Sequence, residues 1–248
     1  MAQQTSIITL NGTVGGLSFY KTKNGYFARA KGGVSKSRVM TDPKYARTRE
    51  NLREFSTAAD GAKLFRDSMR EALLKSSDPR FYNRVYSKML SILKTDPVNS
   101  RGDRQVHEGD WNQMAYLELN AQARLESTLA MQIGLTDSAS ALEISLADFM
   151  PRDYVAIPEG STHFRVFAVG VSVDFTNKAR TSISSNSGLL PIGDAVTGLA
   201  LTLDKSSLVE PFKAYVLGVE FVQEVNGQEY AMNNGAHNAA AVLLVESV

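Results

Sequence analysis

The side chains best suited to acid–base or metal chemistry near neutral pH are three histidines, and none stands in a catalytic pattern. His107 lies in a polar stretch, residues 97–110, beside Asp103, Glu108 and Asp110. Such a grouping offers nitrogen and oxygen ligands to a hard cation or to zinc, but its spacing matches none of the usual ligand patterns, so a solvated loop is the stronger reading. His163 precedes Phe164-Arg165 and suits a strand start, while His237 sits in a turn-rich run from Asn233 to Asn238. No serine stands in a nucleophile elbow. The chain has no cysteine, which excludes disulfides and thiolate zinc sites. Glycines 12, 15, 16, 25, 32 and 33 lack the Gly-Lys-Ser/Thr of a phosphate loop and read as turn and bulge residues. The expectation is a protein that is not an enzyme, with no catalytic residue, no cofactor and no metal.

The basic residues carry more information. Lys21, Lys23, Arg29, Lys31, Lys36, Arg38, Lys44, Arg47, Arg49 and Arg53 face only Asp42 and Glu50 over the same span, and Tyr20, Tyr26, Phe27 and Tyr45 are interleaved with them. That combination suits nucleic acid, through phosphate contacts and base stacking. It also suits a solvated face, an acidic surface on the same molecule, or an acidic surface on the next copy. The acidic surface is encoded in the chain itself: residues 1–104 hold 20 of the 27 Lys+Arg and 9 of the 26 Asp+Glu, a net of +11, and residues 105–248 carry −10. Opposite charges on two parts of one molecule steer association, which ranks self-association above nucleic acid. Sugar stacking would rest on Trp111 and a few exposed aromatics, a poor supply.

The elements that position these residues follow from pattern. Ile7-Ile8-Thr9-Leu10 reads as a short strand, and residues 17–22 and 26–30 flank Asn24-Gly25, a hairpin signal. Asp42-Pro43 opens a helix whose apolar residues run from Tyr45 to Ala72 at threes and fours with one gap of seven, and a bend is expected at Gly61. Asp78-Pro79 opens a second helix through Phe81, Val85, Met89 and Ile92. Alternating segments then suggest strands around residues 125–133, 142–146, 167–175, 199–203, 215–221 and 240–245, with a turn at Asn226-Gly227. The fold class is α+β: an N-terminal β-hairpin and αα-hairpin followed by an antiparallel β-sandwich. The expected division is 1–105, basic, and 106–248, acidic.

Residues 10–33, residues 42–55, Pro158-Glu159-Gly160-Ser161-Thr162-His163-Phe164-Arg165 and residues 221–230 together resemble a family of conserved Bacteroidetes proteins of unknown function. The resemblance runs nearly end to end and implies no activity, cofactor or site residue.

The longest apolar run, residues 239–245, is far short of the roughly 20 a membrane helix needs, and the start has no secretory pattern; membrane insertion is not expected and a cytoplasmic location is. The function expected is structural: head-to-tail self-assembly into a polymer or other homo-oligomer, with a nucleic-acid-binding protein as the alternative. Ile7, Ile8 and Leu10 would fill pockets of a neighbour, and Arg29, Arg47, Arg49 and Arg53 would meet its carboxylates.

Overall fold

The computed structural model describes residues 2–5 and 7–247. The protein combines helices with antiparallel sheets and divides into two compact units, Met1–Arg49 and Glu50–Val248. The division differs from the boundary expected at 105/106. The reason is burial: the apolar stripe of the helical hairpin (Phe65, Met69, Val85, Met89) shares one core with Val169, Val171, Val216 and Val242 from the strands that follow.

In the first unit, β1 (Ala2–Gln3), β2 (Gly12–Val14), β3 (Leu17–Thr22) and β4 (Gly25–Ala30) form an antiparallel sheet in the order β1-β4-β3-β2. The β3–β4 turn sits one residue earlier than expected. Thr22 pairs with Gly25, the Thr22 hydroxyl accepts from the Asn24 N–H at 3.2 Å, and Gly25 takes the positive φ of +116°. Residues 7–10 are not a strand. A short helix absent from the sequence reading, α1 (Lys36–Thr41), is capped by Ser35, whose hydroxyl accepts from the Arg38 N–H at 3.3 Å.

The helices that follow are α2 (Ala46–Ser68), α3 (Arg70–Lys75) and α4 (Phe81–Lys94), with two single turns, α5 (Leu125–Thr128) and α6 (Pro151–Tyr154). The expected bend at Gly61 is instead a break at Met69. Gly61 serves packing: a Cβ there would lie 3.3 Å from Val106 and 3.6 Å from the Phe175 ring.

The remaining strands are β5 (Ile133–Asp137), β6 (Ala141–Leu146), β7 (His163–Asp174), β8 (Ala179–Asn186), β9 (Leu190–Pro191), β10 (Ala200–Asp204), β11 (Phe212–Val225), β12 (Gln228–Ala231) and β13 (Ala239–Ser247). β10, β6 and β5 make a three-stranded sheet; the other six make one sheet built on β7 and β11. Along β7 and β11 the odd and even positions serve different cores. Phe167, Val169, Val171, Ala214 and Val216 meet the helices, whereas Val166, Ala168, Tyr215, Leu217 and Val219 meet Leu142, Ile144, Leu201 and Leu203 of the smaller sheet. Both strands are therefore buried on two faces.

Gly218 marks the tightest point of this middle layer. A Cβ would lie 2.3 Å from Cζ of Phe167 and 2.8 Å from the Ala239 carbonyl oxygen. Gly218→Ala is expected to cost about 1–3 kcal/mol by overpacking. The measurement is a lowered urea midpoint at unchanged slope; an unchanged midpoint would show that Phe167 has room to swing away.

Candidate assembly surface

None of the described residues of Met1–Arg49 is buried. The sheet register sorts its side chains onto two faces. Thr13, Ser18, Tyr20, Phe27 and Arg29 share one; Val14, Leu17, Phe19, Lys21, Tyr26, Ala28 and Ala30 share the other. On the first face Tyr20 stacks on Phe27 at 6.3 Å between centroids, and the Arg29 guanidinium lies 5.5 Å from the Tyr20 ring. On the second, Lys21 lies 5.4 Å from the Tyr26 ring, while Val14 and Leu17 are 66% and 46% exposed. Between β1 and β2 the chain forms a loop that the Gln4 side chain closes at its base. Its carboxamide oxygen accepts from the Leu10 N–H at 2.8 Å, and its nitrogen donates to the carbonyls of Leu10 (3.3 Å) and Phe27 (3.1 Å). Ile7 stands at 103% exposure on this loop, Ile8 at 75% and Leu10 at 47%.

The structure gives the basic residues of the sequence reading different employments. In the first unit, Arg49 donates to the carbonyls of Val39 and Asp42 at 2.8 and 2.9 Å and so clasps α1 to the start of α2; Arg38 pairs with Asp42 at 3.3 Å. In the second unit, Arg53 meets Asp103 of its own chain at 3.1 Å. Lys23, Lys31, Lys36 and Arg47 are exposed and make no ion pair among the described residues. Met1–Arg49 carries nine Lys+Arg against Asp42 alone, a net of +8, which leaves 18 Lys+Arg and 25 Asp+Glu, a net of −7, on Glu50–Val248.

Within Glu50–Val248, a groove of about 780 Å³ opens beside β13 and the start of β5. Leu125, Leu129 and Ala241 form its buried floor, Met131, Ile133 and Leu243 its half-buried walls, and Glu118, Glu126 and Tyr116 its rim. Burial raises the Glu118 carboxyl above its ordinary 4.5, although it accepts the Leu125 N–H at 3.2 Å and feels Arg124 and Arg84. A second cavity, about 360 Å³, is lined by Asp60, Lys63, Asp67, His107 and Lys178 around Gly61. Its charges are largely spoken for: Lys178 pairs with Asp60 at 3.7 Å, Arg180 with Asp67 at 3.3 Å, and His107 lies 3.6 Å from Glu108. Among the described residues no group of three or more His, Asp or Glu could hold a metal ion. His163 opens β7, 2.9 Å from the Thr162 hydroxyl and 3.4 Å from Glu224. Trp111 is buried at 2% exposure, so it offers no platform to a sugar.

The chain matches no family model, no curated protein and no solved structure. Among the described residues no helix is long and apolar enough to cross a membrane. Two features escaped the sequence reading. The Gln4 clamp gives no signal, because a glutamine six residues before a leucine has no pattern of its own. The groove was hidden because residues 125–133 alternate like a strand, yet Leu125–Thr128 form a helical turn and only Ile133 enters β5.

Proposed function

We propose that this protein is a non-enzymatic structural subunit that assembles head to tail with copies of itself. One observation carries the reading: Met1–Arg49 holds an ordered four-stranded sheet with an apolar face, and none of its described residues is buried. A small sheet needs a covered hydrophobic face to be stable in water. The net of +8 on this unit against −7 on the rest makes another copy a suitable cover, and a contact between two different patches repeats from copy to copy. We read the two sheets that share a core as an antiparallel β-sandwich, the acidic body of the subunit. The carboxyls held lowest, Asp78 and Asp96, are tied to backbone N–H groups and Arg84 in structural roles, which supports a non-catalytic reading.

Sedimentation velocity on the full chain tests this. Mass is expected to grow with concentration, and to fall when salt rises from about 0.1 M to about 1 M and the screening length shrinks from about 10 Å to about 3 Å. A single-chain mass at every concentration in both buffers would sink the proposal. The aromatic–cation pairs Tyr20–Arg29 and Tyr26–Lys21 favour a second reading, single-stranded nucleic acid stacked on the sheet. It requires a gel shift whose log affinity falls linearly with log salt, by roughly 0.7 per phosphate neutralised.

A further inference from the structure

Ile7 and the groove beside β13 are complementary in chemistry. The first 20 residues contain no Asp, Glu, Lys or Arg, and the first cations are Lys21 and Lys23. The loop is therefore an uncharged apolar tip with a cationic sheet behind it. The Gln4 clamp sets its base in advance, which lowers the ordering cost of inserting it. The groove is the inverse: an apolar floor and walls behind a rim with two carboxylates, and no Lys or Arg in its lining, although Arg84 and Arg124 act on Glu118 from nearby. At about 780 Å³ it falls within the about 300–1,000 Å³ of pockets that enclose drug-sized ligands, so it has room for Ile7 and its neighbours. Ile7 is fully exposed.

We infer that the loop between Gln4 and Leu10 of one copy seats Ile7 in the groove lined by Leu129, Met131, Ile133 and Leu243 of the next, with Lys21 and Lys23 drawn to the carboxylates of its rim. This rests on the self-assembly reading and gives it a named joint.

The test uses two full-length variants, each altered at exposed residues. Ile7→Asp/Ile8→Asp spoils the tip and leaves the groove intact. Ala130 is an exposed residue of the groove lining, and Ala130→Arg fills the groove and leaves the tip intact. Each alone is expected to associate at least about a hundredfold more weakly than the wild type, because a charge must enter an apolar site or a side chain blocks it. Mixed in equal amounts, they should form a species of two chains and grow no further, since one sound tip meets one sound groove. Thermal midpoints equal to the wild type's, compared in dilute protein at about 1 M salt where association is weakest, separate lost association from lost folding. If both variants still assemble as the wild type does, or the mixture stays single-chain, this joint is wrong while self-assembly stands. If the wild type is itself single-chain throughout, both ideas fall.

Discussion

Replacing Trp111 with alanine is expected to lower the stability of Glu50–Val248 by about 3–5 kcal/mol, the range for deleting a large buried aromatic. The indole sits in a 3₁₀ turn, Trp111–Met114, that Asp110 caps by accepting the Asn112 N–H at 3.2 Å. From there it meets Phe65 of α2, Phe175 after β7 and Phe212 of β11, with ring centroids at 5.5, 5.6 and 5.6 Å and tilted or edge-on geometry. Its N–H donates to the Lys213 carbonyl at 2.9 Å. One side chain thus joins the helices, the connector and the central sheet. Trp111→Phe keeps most of the ring contacts and removes the donor, so its loss should be smaller, about 1–3 kcal/mol for a carbonyl left unpaired. Urea denaturation followed by circular dichroism reads both. Equal losses in the two variants would show that the hydrogen bond, not the packing, carries the effect.

Acid should unfold this unit through two aspartates. Burial works against the charge of Asp78, but Arg84 at 2.7 Å and the N–H groups of Ala121 and Arg80 outweigh it and hold the carboxyl at about 2, against an ordinary 3.8. Arg84 also donates to the carbonyls of Glu118 and Leu119, so the pair ties the helical hairpin to the segment beside β13. Asp96 is likewise opposed by burial. It is held at about 2 by the N–H groups of Gln105, Asn99 and Val98 and by the Asn99 carboxamide. A folded-state pKa below the unfolded value stabilises the fold above the unfolded pKa, and that stability is lost as pH falls through the folded one. Each group therefore contributes about 2 kcal/mol at neutrality, lost between about pH 4 and pH 2. The two make no contact with each other, so the losses should add. Asp96→Asn should lower the urea midpoint at neutral pH, because an amide nitrogen would face donors, and should flatten the acid limb. A limb as steep as the wild type's would remove Asp96 from the account.

The strands that were legible in sequence are those whose two faces differ. Phe167, Val169, Val171 and Val173 alternate with Ala168, Gly170 and Ser172, and that contrast survives because the helices and the smaller sheet press on opposite sides. Asn226-Gly227 was legible as a turn because both residues take positive φ, 53° and 76°. β8 was missed because Arg180, Thr181, Ser182, Ser184 and Ser185 give an edge strand no apolar face. The division of the chain was misplaced because charge changes sign near residue 104, whereas burial ignores that sign and pairs α2 and α4 with strands far along the chain. At the candidate surface, exposed Ile7 and the cations were visible as types. Their surroundings depend on long-range folding, which let Arg49 close a local clasp and Arg53 take an acceptor in its own unit.

The first four residues of β13, Ala239 to Val242, are buried between two paired edges and two cores. It pairs with β11 along one edge. Along the other, Tyr116 and Leu119 donate to the Val242 and Ala240 carbonyls at 2.8 and 2.7 Å, and Leu117 accepts from Val242 at 3.0 Å. Ala240 and Val242 face one core, Ala239 and Ala241 the other. All of these walls are synthesised before their occupant. At about 5–20 residues per second, the residues around 116–119 wait on the order of ten seconds for their partner to leave the ribosome. During translation this nascent chain carries an open β11 edge and two interiors that lack Ala239, Ala240, Ala241 and Val242 until β13 emerges.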